Sequence, residues 1–413
     1  MSSSIRTFIH LAFLVAGTCI GGGMLAQPAQ VARNGLFPSI LLIFICALFM
    51  CMTALLILEA ASRLPAESHL PTVASTYLSW PGKWIGSILY LFIAYASLIA
   101  YISASSDLLV NSTSFFHHFS TGLPLCLGAC GTCQVNSTLF CCAIATVVLY
   151  TGHRIAAYLN TTSVVGLLFI FVAILSAGYF QADSQRLLRV SFDKIDHALG
   201  LFLAAFSFQM IVPSLRQYTS DYRLLRSAIV FGVVLTALIY SVWLTFVFGL
   251  IPIDGPMGLD EIAKKELPIT VALMQIFPHS GSLSLLIALF TLLALATSFI
   301  GISLGLYDFL EDILNLSRSK MFPSLRRLLL VALIMLPTLF FSLQFEHLFA
   351  TALDLTGGIG DSILNGLMPV AMVLVGAKFW GKAIYELKPR MPILVFCALF
   401  SLYALYIEVV KFL

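Results

Sequence analysis

Three consecutive glycines, followed at a short distance by a proline, interrupt an apolar stretch near the start of the chain. The segment reads Gly21-Gly22-Gly23-Met24-Leu25-Ala26-Gln27-Pro28 and lies within the apolar residues 5–31. Glycine and proline are the poorest helix formers, so the pattern predicts a helix that is broken at mid-length. The N–H groups at the start of the second half suit a carboxylate, and the carbonyl groups that end the first half suit an ammonium. One break could therefore bind both poles of a zwitterion, unless the glycines only let a neighbouring helix pack closely.

A second segment, around Ser207 and Gln209, has the same character. Both polar residues lie in the middle of the apolar residues 197–219, and Pro213 follows them. Proline near the start of a new half-helix costs little, because the N–H groups there have no helical partner anyway. The pattern predicts a second break. The alternatives are helix–helix hydrogen bonds from Ser207 and Gln209 and a plain kink at Pro213.

The composition identifies the environment of these breaks. Of the 413 residues, 60% are hydrophobic and only 10% are Asp, Glu, Lys or Arg. The mean hydropathy is +1.00. Because soluble domains usually carry about 25% charged residues, we predict an all-α polytopic membrane protein with a single integral domain over residues 1–413. Such a chain leaves no room for a soluble enzyme or a nucleic-acid-binding domain.

Apolar runs long enough to cross the bilayer, about 20 residues each, recur along the whole chain. Most of the 22 lysines and arginines lie on the cytoplasmic side if the N-terminus is placed in the cytoplasm. Because the number of predicted spans is odd, the C-terminus is then outside. The eleven predicted spans lie at approximately 5–33, 36–62, 84–109, 135–152, 155–180, 197–219, 227–251, 281–310, 328–344, 348–378 and 392–411.

The two breaks occupy corresponding places in this series. The first opens a block of five spans, about 5–180, the second opens a block of five at about 197–380, and an extra helix follows at about 392–411. Because five is odd, the second block is inverted relative to the first. Paired breaks in inverted halves indicate an alternating-access binding site near the bilayer midplane. The predicted site residues on the two breaks are Gly17, Thr18, Gly21, Gly22, Gly23, Met24, Ala205, Phe206, Ser207, Phe208 and Gln209.

The backbone is expected to make the charged contacts in this site. The N–H groups of the first break would donate to a carboxylate, and the carbonyl groups of the second would accept from an ammonium. The donors in this prediction are Gly22, Gly23 and Met24, and the acceptors are Ala205, Phe206 and Phe208.

Seven segments carry a likeness to a known family: AGTCIGGGMLAQP (16–28), GLFPS (35–39), TALLILE (53–59), FSF (206–208), VPSL (212–215), TSFIG (297–301) and LGLYDF (304–309). They resemble segments of the hydroxy/aromatic amino acid permeases, the bacterial tyrosine- and tryptophan-type permeases of the amino acid–polyamine–organocation superfamily. The resemblance implies a leucine-transporter-type fold with five-plus-five inverted repeats, in the bacterial inner membrane, and ion-driven uptake of an aromatic amino acid. The chain departs from the family at Gln27, where Leu is more usual, and at Gln209-Met210, where many members have His and a small residue.

The coupling ion stays open, because the resemblance favours a proton whereas Thr297 and Ser298 favour sodium. Adjacent hydroxyls at Thr297 and Ser298, with carbonyls from Ala16 and Cys19, match the sodium site of leucine-transporter-type proteins, although Ser and Thr also back-bond within helices. A proton would need an acid within the membrane. The acids in or at the ends of spans are Glu59, Asp107, Asp308, Asp354 and Asp361; the last two border a glycine-rich, flexible segment of the tenth span.

Two tyrosines of the third span are candidates for an aromatic slot. We expect Tyr95 to line it and assign Tyr101 to the belt of interfacial tyrosines. In an outer loop, Cys126, Cys130 and Cys133 form either a structural disulfide or nothing of consequence.

The sequence therefore predicts a secondary active symporter that imports tyrosine or tryptophan. Its expected partners are the small-molecule aromatic amino acid and the lipid bilayer, with no nucleic acid and no cofactor besides the coupling ion. The alternatives are a transporter of another neutral amino acid and a membrane amino acid sensor of the same fold. No phosphate-binding loop that would indicate an ATP-driven pump occurs in the sequence. The oligomeric state stays open.

Overall fold

The computed structural model describes residues 3–65, 70–116, 131–178, 183–276, 281–314, 316, 322–345, 348–379 and 385–411, and every regular element within these ranges is a helix. The α-helices are α1 (Ser3–Cys19), α2 (Gly23–Gln30), α3 (Leu36–Ala61), α4 (Leu70–Phe116), α5 (Gly131–Tyr150), α6 (His153–Gly178), α7 (Leu199–Ala205), α8 (Tyr222–Leu250), α9 (Leu259–Lys264), α10 (Ile269–Ile276), α11 (Gly281–Ile313), α12 (Pro323–Gln344), α13 (Phe349–Leu355), α14 (Met368–Phe379) and α15 (Arg390–Lys411).

The described residues contain nine helical segments that are long and apolar enough to cross a membrane, and the bent pair of α1 and α2 makes a tenth. The shorter apolar helix Gln134–Tyr150 corresponds to the fourth predicted span. Large apolar side chains stand outward on these helices, among them Phe169 (79% exposed) and Leu336 (65% exposed). A soluble surface would not leave such side chains uncovered, whereas lipid accommodates them. The chain is a multi-pass membrane protein.

The first span is broken where the glycines predict a break. Helix α1 ends at Cys19, α2 begins at Gly23, and the two axes meet at 54°. The α2 helix starts with tight turns in which the N–H of Leu25 donates to the carbonyl of Gly22 at 3.0 Å. The glycines therefore change the direction of the chain inside a span.

The sixth span is also interrupted, but its second half differs from the α-helix that the sequence predicts. After α7 ends at Ala205, three irregular residues lead into two short 3-10 helices, Gln209–Ile211 and Pro213–Gln217. Proline has no N–H for an α-helical bond, and the segment instead forms bonds between residues three apart, such as Val212 N to the carbonyl of Gln209 at 3.1 Å.

The third span starts earlier than predicted. Helix α4 begins at Leu70 and bends at Ser79, whose φ of 56° lies in the left-handed region. Pro81, two residues later, cannot continue the helical hydrogen bonds of the preceding turn, which accounts for a kink at this point.

The tenth span contains a wide helix in its middle. Between α13 and α14 the segment Thr356–Leu367 is a π-helix, which we call the π segment. It packs against α7, α4 and α15. Gly357 permits the approach to α7, because a methyl group there would stand 1.7 Å from the carbonyl oxygen of Gly200. The glycine-rich segment that the sequence suggests as flexible is thus a regular element in close contact with the second break.

Candidate functional site

The two breaks are in direct contact. A methyl group at Gly23 would stand 3.1 Å from both the Cα and the Cβ of Ala205, so the start of α2 lies against the end of α7. Only a residue without a side chain fits this distance comfortably. The two interrupted spans, far apart in sequence, therefore form one junction inside the protein, which we call the break junction (residues 19–24 and 205–209).

Tyr240 of α8 connects the two halves of the break junction. Its hydroxyl lies 2.7 Å from the carbonyl oxygen of Cys19, the last residue of α1, and 2.9 Å from that of Ala205, the last residue of α7. The hydroxyl has one proton, so it donates to one carbonyl at a time while the two acceptors share it. Its ring packs edge-on against Phe206, with the ring centroids 5.1 Å apart.

Trp243, one turn further along α8, holds the other side of the first break. Its indole N–H donates to the carbonyl oxygen of Met24 at 2.9 Å. Both aromatic residues are completely buried. Neither residue is among the predicted site residues. A signal was present, since a buried tyrosine or tryptophan in the middle of a span needs a partner for its polar atom.

Helix α11 closes the junction from another side. The N–H of Gly22 donates to Oγ of Ser298 at 2.9 Å, and the Tyr101 ring lies beside Gly22 as well. A methyl group at Gly22 would stand 2.6 Å from Cε1 of Tyr101. Tyr101 is buried at the junction, so its assignment to an interfacial belt is wrong. Tyr95 instead donates its hydroxyl to the carbonyl of Leu333 on α12 at 2.8 Å.

Several of the predicted backbone donors and acceptors already have partners in the protein. Gly22 bonds to Ser298, and the N–H of Met24 donates to the carbonyl of Gly21 at 3.3 Å. The carbonyl of Phe206 accepts from the N–H of Phe208 at 3.0 Å. A carbonyl oxygen has a second lone pair and can still accept from an ammonium, whereas an N–H has one proton and must change partner to bind a carboxylate.

Three other predicted residues point away from the junction. The Thr18 hydroxyl back-bonds to the carbonyl of Leu14 at 2.7 Å and is exposed, and Gly17 faces Val164 of α6. The Gln209 amide bonds with Thr53 on α3 at 3.2 Å and holds the second break against that helix. The structure therefore brings together Gly21, Gly22, Gly23, Met24, Ala205, the two phenylalanines and Ser207. It leaves Gly17 and the side chains of Thr18 and Gln209 outside.

Ser207 joins the second break to the π segment. Its hydroxyl donates to Oδ1 of Asp361 at 2.8 Å, and Asn365 donates through Nδ2 to the same oxygen at 2.7 Å. Asp361 and Asn365 are completely buried, while Ser207 is half-buried. A carboxyl group, which the sequence suggests as one of five acids able to carry a proton, thus lies one hydrogen bond from the junction.

Three of the four predicted sodium ligands lie at or beside the end of α1, where Ala16 and Cys19 belong to the last turn. Ser298 lies against Gly21, where a methyl group would stand 2.0 Å from its Oγ. Thr297 back-bonds to the carbonyl of Ala294 at 3.1 Å, as the alternative interpretation expected. The carbonyls of Ala16 and Cys19 accept from Ile20 N and from Tyr240. Sodium coupling through this set stays a prediction. The predicted disulfide among Cys126, Cys130 and Cys133 lies outside the residues whose side chains the structure describes.

Outside the spans, one ion pair fastens the end of the first span to an outer helix. Arg33, just after α2, bonds through Nε to Asp260 of α9 at 2.8 Å, and a second guanidinium nitrogen contacts the same carboxylate. The hydrogen bond from Arg33 holds the pKa of Asp260 below its usual value.

Known proteins match this chain over nearly all of its length. The tryptophan/tyrosine permease family matches residues 5–408. The chain belongs to this family. The permease is 29% identical over 366 residues to a tyrosine-specific transport system 1 of Haemophilus influenzae. These aligned residues cover 87% of the permease and 86% of that protein. It is 29% identical to a low affinity tryptophan permease of Escherichia coli, over 75% of each chain. A glutamine transporter 2 of Aliivibrio fischeri is 26% identical over 74% of the permease and 75% of its own length. The permease is thus a transport protein and not an enzyme, as the sequence predicts.

Proposed function

We propose that the permease imports tyrosine or tryptophan across the bacterial inner membrane, in symport with an ion, by alternating access. Membership of the tryptophan/tyrosine permease family supports the substrate class. The observation that carries the mechanism is the contact between Gly23 and Ala205, because it brings two interrupted spans to one point inside the membrane. Paired broken helices of this kind form the substrate sites of many secondary transporters.

The architecture we propose is eleven spans in two inverted blocks of five plus one, with the N-terminus inside and the C-terminus outside. The bent α1–α2 pair opens the first block and α7 opens the second. The short helix Gln134–Tyr150 would complete the count. A leucine-transporter-type arrangement accounts for the contact between the first elements of both blocks, although they are separated by about half the chain.

In the proposed binding step, the amino acid enters between the breaks as a zwitterion. Its carboxylate accepts hydrogen bonds from the N–H groups of Gly22 and Gly23, and the N–H of Gly22 must first break its hydrogen bond to Ser298. Its ammonium donates hydrogen bonds to the second lone pairs of the Ala205 and Phe206 carbonyl oxygens. The rings of Phe206 and Tyr101, buried at the junction, supply an aromatic environment for the side chain.

A carrier of another neutral amino acid is the second candidate, and the relative named glutamine transporter 2 favours it. The test uses purified permease in proteoliposomes, with labelled tyrosine, tryptophan and glutamine supplied in turn under an inward proton or sodium gradient. We expect concentrative uptake of an aromatic substrate. Uptake of glutamine alone would favour the second candidate, and binding without uptake of any of the three would indicate a sensor.

A further inference from the structure

Asp361 is a carboxyl group that has no counter-charge among the residues that the structure describes. It lies in the middle of the segment Phe349–Phe379, the tenth span, and is completely buried. Both of its hydrogen bonds go to one oxygen, Oδ1, from Ser207 and Asn365. The other oxygen, Oδ2, and the amide oxygen of Asn365 have no hydrogen-bond partner within the described ranges. An acid buried this deeply in a membrane protein is costly and is generally functional.

The charged groups around the π segment are paired with one another and leave Asp361 alone. On α15, Lys411 lies 2.5 Å from Oδ2 of Asp354 and 2.8 Å from Oε2 of Glu408. On α4, the hydroxyl of Tyr101 is the titratable group close enough to interact with Asp361. None of these supplies a positive charge to the carboxyl.

The other helices that pack against the π segment also form no ion pair with Asp361 within the described residues. Helix α7 has no titratable side chain, and α3 contributes Glu59 near its end, which pairs with Arg390 at 2.8 Å. On α14 the nearest basic residue, Lys378, lies in the last turn. Within the described part of the chain, no lysine, arginine or histidine forms an ion pair with Asp361.

Protonation of Asp361 removes the negative charge that these contacts leave unpaired. As a carboxylate, the group accepts two hydrogen bonds on one oxygen and keeps an unpaired charge in an apolar setting, which is unfavourable. As an acid, it is neutral and gains a donor, and the adjacent Asn365 amide oxygen is an acceptor without a partner. The occluded carboxyl is therefore suited to carry a proton and to release it when the site opens to water.

The carboxyl is also connected to the substrate site. Ser207 lies in the break of the sixth span, next to the Ala205 and Phe206 carbonyls, and donates to Asp361. π-helical turns are frequent at functional sites, and in this one Asp361 and Asn365 both hydrogen-bond with Ser207 of the break. A change in the charge of Asp361 therefore acts on the break junction through the side chain of Ser207.

We propose that Asp361, held by Ser207 of the second break and Asn365 of the π segment, takes up and releases the proton that drives transport. This inference rests on the proposed symport with the proton that the family resemblance favours, and it adds the residue that carries this proton. The step is a proton transfer between water and one carboxylate oxygen, first from the outer side and then to the cytoplasm, and no other bond changes. It assigns coupling to the tenth span and not to Thr297 and Ser298 of α11.

The experiment compares two transport modes in proteoliposomes of the full-length permease. Asp361→Asn keeps the size of the side chain and mimics the protonated state. We expect it to exchange labelled for unlabelled substrate at equal pH on both sides, but to lose accumulation above equilibrium under an inward proton gradient. Asp361→Glu should restore part of the accumulation. The matched control is Asp354→Asn, in the same span, whose carboxylate pairs with Lys411 and which should still accumulate substrate.

The outcomes separate this inference from the proposed function. Wild-type permease that transports none of the amino acids would contradict the proposed function. If the wild type transports and Asp361→Asn still concentrates substrate with protons, or if only a sodium gradient drives the wild type, the inference is wrong. Infrared spectroscopy gives a readout that needs no transport: the carbonyl band of a protonated carboxyl should disappear in Asp361→Asn and persist in Asp354→Asn. Its persistence in Asp361→Asn would also overturn the inference.

Discussion

The backbone N–H of Gly22 and the hydroxyl of Ser298 form a hydrogen bond of 2.9 Å between the first break and α11. The bond occupies a donor that the proposed binding step assigns to the substrate carboxylate. Ser298 therefore has two possible roles. It either competes with the substrate for Gly22, or it serves as a ligand of a sodium ion.

Ser298→Ala distinguishes these roles. A neutral hydrogen bond contributes about 1 kcal/mol, so its removal should tighten substrate binding about fivefold if Ser298 competes with the carboxylate. Isothermal titration of the purified permease measures the dissociation constant with and without sodium. Thr297→Ala is the control, because Thr297 back-bonds within α11. Weaker binding together with lost sodium dependence in Ser298→Ala would instead support the sodium site.

Tyr240→Phe should destabilise the junction. The substitution keeps the ring and removes the hydroxyl that the carbonyls of Cys19 and Ala205 share. Loss of a buried hydrogen bond that leaves acceptors without a partner costs about 1–3 kcal/mol. We expect a lower melting temperature in detergent. Ser241→Ala on the same helix, which removes only a back-bond to Ala237, should melt close to the wild type. Equal melting of both variants would contradict the assigned role of Tyr240.

Gly22→Ala and Gly17→Ala form a matched pair in one segment. A methyl group at Gly22 meets the ring of Tyr101 at 2.6 Å, whereas a methyl group at Gly17 meets Val164 at an ordinary 3.7 Å. Overpacking of this kind costs about 1–3 kcal/mol. Uptake assays should show that Gly22→Ala abolishes transport and that Gly17→Ala retains it. Loss of transport in both would mean that glycine is needed for helix geometry and not for the approach of Tyr101.

The ion pair of Arg33 and Asp260 should make part of the stability depend on pH. Because the bond lowers the pKa of Asp260 in the folded protein, the stabilisation is present above the ordinary pKa of an aspartate, about 3.9. It is lost as the pH falls through the lowered value. The melting temperature of the wild type should exceed that of Asp260→Asn at pH 7, and the difference should vanish in acid. A difference that grows in acid would contradict this sign.

Both breaks could be predicted from sequence because their signals are local. Three glycines near Pro28, and polar residues before Pro213, are visible within a few positions of each other. Glycine and proline act on the backbone wherever they occur, so the interruption does not depend on which helices pack around it. The form of the second half of the sixth span was less predictable, since 3-10 and α-helices have similar sequence preferences.

The contacts that complete the site were not predictable in this way. Tyr240 and Asp361 reach the breaks from other spans, and the bond from Ser207 to Asp361 joins residues 154 positions apart. A single sequence gives no information about which face of α8 or of the π segment meets the junction. Tyr101 shows the same limit, because a tyrosine near a span end satisfies the pattern of an interfacial belt and that of a buried contact equally well.

Gln27 has a buried side-chain amide, and its replacement should change the stability of the protein. It is completely buried in α2, one turn after Gly23, and neither atom of its amide has a partner among the described residues. Burying an unpaired amide costs about 1–3 kcal/mol, so Gln27→Leu should raise the free energy of unfolding by that amount. Thermal unfolding in detergent without substrate measures the change, and Gln30→Leu, on the exposed end of α2, should have little effect. A lower melting temperature for Gln27→Leu would mean that water or a bound molecule satisfies the amide. In that case the substrate-induced rise in melting temperature, compared between the two variants, shows whether the molecule is the substrate.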